Sequence, residues 1–216
     1  APVFVPKKSG VNDDLNGVER KVHFTAKELG EEPLEVDQSL AKWKRSALHS
    51  YGFQPGEGLY TDMNAIRRDD DTDNLHSIFV DQWDWEAVIT EQQRTVDFLK
   101  EAVKKIVAAV ADTADSVRRA FPAVCPEIER EICFITTQEL EDRYPELSPK
   151  ERENMIVREK KTVFLMQIGG KLKSGQKHDG RAPDYDDWSL NGDILFYNPL
   201  LNCAFEVSSM GIRVDS

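Results

Sequence analysis

Apolar and β-branched residues gather into short runs closed by Gly, Pro or Asp along much of the chain, the pattern of strands and turns. These runs predict strands over residues 21–25, 58–67, 77–86, 132–135, 163–168, 194–197 and 204–214, and the opening Ala1-Pro2-Val3-Phe4-Val5-Pro6 reads as the tail of an extended strand. Two stretches switch to helical spacing. Thr90-Glu91-Gln92-Gln93 has a capping-box pattern, after which Val96, Leu99, Val103, Ile106, Val107, Val110 and Val117 share one face until Phe121-Pro122. Ser148-Pro149-Lys150-Glu151 opens a second helix, with Pro at its first position, and a shorter one is expected over 40–50. Strands that cluster without regular βαβ alternation predict an α+β fold, a mostly antiparallel sheet flanked by helices. Such a sheet can leave one face open to a ligand. No repeat or Pro/Gly/Ser-rich linker divides the chain, so a single domain over 1–216 is expected.

Composition narrows the possibilities. The 216 residues are 40% hydrophobic and 31% charged, enough to bury a core. Lys and Arg number 28 against 39 Asp and Glu, a net charge of −11, which argues against a bulk nucleic-acid or anionic-membrane partner while leaving room for a local basic site. No apolar window approaches the ~18 residues of a membrane span, and no charged-then-apolar leader opens the chain, so a soluble, cytoplasmic protein is expected. Cys125, Cys133 and Cys203 lack a C-x-x-C pair and suit reduced thiols. His23, His49, His76 and His178 show no metal spacing, and Gly169-Gly170-Lys171 lacks the P-loop pattern.

Four clusters can carry chemistry. Alternation along 77–86 puts Gln82, Asp84 and Glu86 on one face and Asp81, Trp83 and Trp85 on the other. That polar face is either solvated or a floor for a small polar ligand. Asp193 and Glu206, on neighbouring strand candidates, suit a hard cation such as Mg2+ on a nucleotide phosphate, and Arg213 suits a carboxylate; a surface ion pair is the plainer reading. Arg67 and Arg68 end a strand before Asp69-Asp70-Asp71, which fits a phosphate-neutralising site or a solvated hairpin tip. Lys44 and Arg45 fall on the short helix, either in a site or on its wet face.

The segments Ser39-Leu40-Ala41-Lys42-Trp43-Lys44-Arg45, Gly56-Glu57-Gly58-Leu59-Tyr60-Thr61, Val80 through Glu86, Arg181 through Trp188 and Glu206 through Arg213 together resemble the aspartate–ammonia ligases, the ammonia-dependent asparagine synthetases. The resemblance implies the fold of a class II aminoacyl-tRNA synthetase catalytic domain. Arg67 with Asp70 stands where motif 2 begins, Gln82-Trp83-Asp84-Trp85-Glu86 is similar to a Q-x-D-x-E strand, and Glu206 with Arg213 has the E-x-x-x-x-x-x-R spacing. It implies an ATP-dependent ligase that converts L-aspartate and ammonia to L-asparagine through an aspartyl-adenylate, releasing AMP and pyrophosphate. Lys44, Arg67 and Asp186 would then be catalytic. Asp13, Ser39, Lys44, Gln82, Asp84, Asp186, Ser209 and Arg213 would line the amino-acid pocket, and Arg67, Asp70, His76, Ser77 and Glu206 the nucleotide site, with Mg2+ on Asp193 and Glu206. The same resemblance implies a homodimer, with no nucleic-acid or membrane partner. It also implies further chain before Ala1, a loop between Ser189 and Leu190, and a Gly-rich arginine motif after Ser216. A non-catalytic amino-acid-binding paralogue and an aspartyl-type tRNA synthetase are the alternatives.

Overall fold

The computed structural model describes residues 1–13, 15–124 and 127–214. They group into two compact units, Ala1–Glu91 and Gln92–Ser216. In the first unit, β1 (Phe4–Pro6), β2 (His23–Phe24) and β3 (Leu34–Val36) form an antiparallel sheet in the order β1-β3-β2. Helix α1 (Ala41–Ser50) follows, then a hairpin of β4 (Gly58–Ile66) and β5 (Phe79–Ala87) in register from Gly58 opposite Ala87 to Ile66 opposite Phe79. The strands predicted over 58–67 and 77–86 thus form, as Gly58–Ile66 and Phe79–Ala87. The short β3 escaped it because only three residues pair there.

The second unit holds α2 (Val96–Ala120), β6 (Cys133–Thr136), α3 (Thr137–Arg143), α4 (Pro149–Lys160), β7 (Thr162–Met166), β8 (Asp186–Asn198) and β9 (Cys203–Arg213). Its sheet runs β6-β7-β8-β9, parallel in the first pair and antiparallel in the others. The expected mixture of helices and mostly antiparallel sheet is therefore what the chain forms. All five residues of β7 are buried, as a strand covered on both faces requires. One face sets Val163, Leu165 and Leu195 against Leu140, Ile156 and Val157 of α3 and α4. The other sets Phe164, Met166, Ile194 and Phe196 against Leu99, Val103 and Val107 of α2. Gly192 is required where β7 and β8 meet, since a Cβ there would lie 2.4 Å from the Leu165 carbonyl oxygen.

Helix starts follow side-chain capping, with one correction. Thr95, in extended conformation, accepts from the Phe98 N–H and caps α2, while Glu91–Gln93 form a separate 3-10 turn. The capping-box pattern at Thr90 therefore does not start the helix, because the cap sits directly before Val96, the first residue of the apolar stripe. Ser148 and Glu151 make the expected reciprocal box at α4 with Pro149 at its first position. Thr136 and Glu139 make another at α3, a helix the sequence reading passed over. Cys133 and Cys203 are free and half-buried, and burial raises the Cys133 thiol above its usual value; Cys125 lies outside the described residues. Among the described residues no helix is long and apolar enough to cross a membrane.

Ser148→Ala and Thr136→Ala should each lower unfolding stability by about 1 kcal/mol, read from urea denaturation followed by far-ultraviolet circular dichroism. Unchanged midpoints would mean that these caps contribute nothing.

Candidate functional site

Pairing in the first unit places Leu59, Thr61, Met63 and Ala65 opposite Glu86, Asp84, Gln82 and Val80, on one face of the hairpin. Leu40 and Trp43 of α1 pack on Met63, Ala65 and Val80. The next residue of the helix, Lys44, is 1% exposed. Its Nζ donates to Asp84 Oδ1 and to the Trp85 carbonyl oxygen at 3.0 Å, and lies 3.6 Å from Glu86 Oε2. A buried ammonium needs such compensation. The polar face of β5 is therefore partly roofed by a helix and carries a charge match, while Gln82 at its far end stays exposed. Arg45 stays on the wet face of α1, as the plainer reading had it. On the outer face Trp83 is 90% exposed.

The start of α1 carries a second buried group. Its N-cap, Leu40, offers no capping side chain. Asp13 takes over that role from a distant loop: its carboxylate accepts from the Lys42 N–H at 3.3 Å, and Ser39 and Ala41 also bond to it. These bonds and the helix dipole favour the anion. Burial outweighs them and pushes Asp13 up to about 6. Asp37 is pushed up to about 6 as well, by burial first and by the charge of Asp13 second. Asn12 bridges the region, accepting from the Gln38 N–H at 2.9 Å and donating to the Val36 carbonyl oxygen at 3.0 Å. Asp37 Oδ2 and Gln38 Oε1 are buried without a hydrogen-bond partner. Asn12, Asp37 and Gln38 were missed by the sequence reading because no spacing rule links loop residues that meet only in the fold.

At the end of β4, Arg67 Nε donates to the Gln38 carbonyl oxygen at 3.3 Å, and the Asp70 N–H donates to the Arg67 carbonyl oxygen. Arg20 grips Asp69 through its guanidinium and backbone N–H, holding that carboxyl near 2. His76 pairs with Asp73 at 2.9 Å on an exposed turn, beside exposed Ser77. Arg67 and Asp70 thus share one turn, and His76 and Ser77 lie in the exposed segment that leads into β5.

In the second unit a register shift shapes the chemistry. Asp193 pairs with Ser209 and Ile194 with Ser208, yet Leu195 pairs with Glu206, so Val207 is left over as a bulge. An extra residue reverses the alternation of a strand. Glu206, Ser209 and Arg213 therefore share the face of Asp193. A second irregularity, between Asp186 and Asn191, brings Asp186 opposite Arg213, and the two side chains form an ion pair. The Arg213 guanidinium also stacks 4.9 Å from the Tyr185 ring, and Arg94 bonds the Arg213 carbonyl oxygen and Asp187. Gly211 is required by the close approach of the two strands, because a Cβ there would meet Asn191 Cβ at 2.7 Å.

Between these groups lies Arg181, bonded through Nη2 to Asp193 Oδ1 and through Nη1 to Ser209 Oγ. Burial raises the Asp193 carboxyl. Glu206, solvent-exposed on β9, is pushed up to about 7, chiefly by the charge of Asp193. Glu153 of α4 sits nearby and stays below its usual value, since His178 at 3.0 Å and Lys150 at 2.9 Å offset its burial. Two carboxylates that disfavour each other's ionisation are short of positive charge, and their donors are hard oxygens. That suits Mg2+, which binds through one or two carboxylates and completes its shell with water and phosphate. It does not suit an all-protein cage, and the described residues contain no cluster of three ligating side chains.

The Asp13 carboxyl is raised in the folded state relative to an unfolded reference of 3.8, so the native chain binds the extra proton. Stability is fully present below about pH 4 and falls as pH rises through about 6, by up to ~3 kcal/mol for a shift of this size. Asp13→Asn should flatten that part of the profile. Thermal melts from pH 4 to 7 check this, and parallel profiles for variant and wild type would contradict it.

A family model described as aspartate–ammonia ligase matches residues 1–216. Aspartate–ammonia ligases of Ruminiclostridium cellulolyticum, Clostridium tetani and Levilactobacillus brevis are 60%, 59% and 58% identical to the chain over its whole length. The chain spans 64%, 63% and 64% of those relatives. Asparaginyl-tRNA synthetase of Entamoeba histolytica, in complex with asparaginyl-adenylate, superposes with a TM-score of 0.57 at 14% identity, covering 91% of this chain and 43% of that one. A second structure of that synthetase gives 0.52 at 13% identity, with 91% and 44% covered. At that identity the likeness is one of fold, and it is the synthetase-type fold that the motifs implied. Matched by the family model from its first residue to its last, and sharing three residues in five with a named relative, the chain belongs to the aspartate–ammonia ligase family.

Proposed function

We propose that the polypeptide containing this chain joins L-aspartate and ammonia to give L-asparagine at the expense of ATP, through an aspartyl-adenylate. The observation that carries the reading is the alignment of Glu206, Ser209 and Arg213 with Asp193 on one sheet face, in a chain whose family is that ligase. In this reading Asp13, Ser39, Lys44, Gln82, Asp84, Asp186, Ser209 and Arg213 recognise the amino acid. Arg213, already engaged with a carboxylate in Asp186, offers a guanidinium of the right geometry for the substrate's carboxylate. Asp84, whose hold on Lys44 is shared with Glu86, offers its charge to the substrate ammonium.

Adenylation brings an aspartate carboxylate oxygen to the α-phosphorus while the bond to pyrophosphate breaks. Anion meets anion, so positive groups fixed where charge develops lower the barrier. Lys44 and Arg67 are those groups, with Asp70, His76, Ser77 and Glu206 beside the nucleotide. Asp193 and Glu206 would hold a Mg2+ ion, which would supply further screening of the phosphate charge. Ammonia then attacks the activated carbonyl carbon, AMP leaves, and nitrogen loses a proton, for which Asp186 is the carboxylate at hand. We also infer a homodimer working in the cytoplasm on small molecules.

The complete polypeptide given aspartate, ATP, Mg2+ and ammonium should form asparagine, AMP and pyrophosphate in equal amounts; ADP and phosphate would refute the reading, and charging of tRNA would redirect it. Asp84→Asn should raise the KM for aspartate tenfold or more, on the order of 1.4 kcal/mol or above, and an unchanged KM removes Asp84 from the pocket. Arg67→Ala should slow ATP–pyrophosphate exchange about 100- to 1,000-fold, the usual effect of deleting one electrostatic stabiliser. Undiminished exchange would dismiss that role.

A further inference from the structure

Arg181 has no part in the reaction as set out above, yet it occupies the middle of the charged face. Its side chain is 13% exposed and that of Asp193 9%. It spans β8 and β9, with Nη2 on Asp193 Oδ1 and Nη1 on Ser209 Oγ. Its Nε is buried without a hydrogen-bond partner, so the pose leaves one donor unpaid for in hydrogen bonds, a cost that a fixed structural ion pair normally avoids. Around it stand Asp193, Glu206 and Asp186, with Glu153 behind them held by Lys150 and His178.

We propose that Arg181 is the resident counter-charge of the Asp193–Glu206 pair, a positioning residue that neutralises Asp193 while no cation is bound and competes with a divalent cation for it. This rests on the reading of Asp193 and Glu206 as the Mg2+ carboxylates. The guanidinium and a cation both want the carboxylate of Asp193, and two positive charges at one carboxylate repel in a water-poor setting. Competition of this kind is reciprocal: whatever binding of the cation does to the hold of Arg181, Arg181 does to the cation. Ser209 is the second anchor that keeps the guanidinium in place. The arrangement keeps the two carboxylates apart and oriented before a nucleotide arrives, and it lowers the affinity for the free metal ion, so that the cation seats well only when phosphate oxygens arrive with it.

Mn2+ binding to the complete protein, followed by electron paramagnetic resonance without nucleotide, tests this. Arg181→Gln should bind Mn2+ about tenfold more tightly than wild type, within the range of couplings between adjacent sites. Ser209→Ala, which loosens one anchor and also removes the Ser209 hydrogen bond to Asp193 while leaving Asp193 paired with Arg181, should tighten it about threefold by the same coupling. Equal or weaker Mn2+ binding in both variants overturns the proposal, and if Arg181→Gln does not fold, Ser209→Ala decides alone. Glu206→Gln separates the two layers. Mn2+ binding that survives Glu206→Gln unchanged, or no Mn2+ binding by wild type and Arg181→Gln alike, defeats the metal reading and this inference with it. Binding lost in Glu206→Gln but indifferent to Arg181 and Ser209 defeats this inference only.

Discussion

A charge removed from water must be met by an opposite charge and by hydrogen bonds, or it costs several kcal/mol. Each unit is organised around one such match. In the first, Lys44 is among the largest fully buried side chains of the described residues, and its ammonium finds Asp84, Glu86 and the Trp85 carbonyl. Apolar contact alone, Leu40 and Trp43 on Met63 and Ala65, would let α1 settle in several registers on the hairpin. The single lysine picks the one in which its charge is compensated. In the second unit Asp193 plays the corresponding part with Arg181 as its partner.

The second constraint is parity. In a regular strand, residues three or seven apart face opposite ways, so Glu206 would look away from both Ser209 and Arg213. The bulge at Val207 removes that conflict and turns Glu206 toward Asp193. Without it, the two carboxylates would lie on different sides of the sheet and Glu206 would feel little of its neighbour's charge. The spacing E-x-x-x-x-x-x-R is thus compatible with a shared site only because one residue is left out of the ladder. The irregularity further along β8, where four residues of β8 between Asp186 and Asn191 lie opposite one residue of β9, has the same effect for Asp186 and Arg213.

These two constraints mark what sequence could and could not reveal. Alternation along β5 assigned Gln82, Asp84 and Glu86 to one face, and pairing with β4 agrees, because an ungapped hairpin keeps its period throughout. Ser148 with Glu151 told the start of α4, since a capping box is local chemistry. The polar run from Asp186 to Asp193 hid most of β8, as its hydrophobic signal begins only at Ile194. The bulge left no trace in composition. Nor did the link from Asp13 to the start of α1, since a remote carboxylate serving as a cap depends on a loop whose path no local rule fixes. Arg181 stood in plain view within a motif, but its position between Asp193 and Ser209 is a property of three strands of argument, loop path, register and bulge, that only coordinates join.

An acidic chain proposed to handle an anionic nucleotide and a dicarboxylic amino acid seems at odds with its own charge of −11. The conflict dissolves once charges are weighed by where they sit. Exposed carboxylates such as Asp73 and Glu101 are screened by water and salt within about 10 Å, and each is already bonded to a neighbour. Lys44, Arg181 and Arg213 lie where the dielectric is lower and their fields carry further, each held by a carboxylate that stabilises it until something else takes its place. Under the proposed function, cations held in this way would let an arriving anion exchange one partner for another instead of stripping water from a lysine or arginine. The surrounding negative charge would then act as selection, since an anion would gain at each such position only if its geometry reached the cation better than the resident carboxylate does.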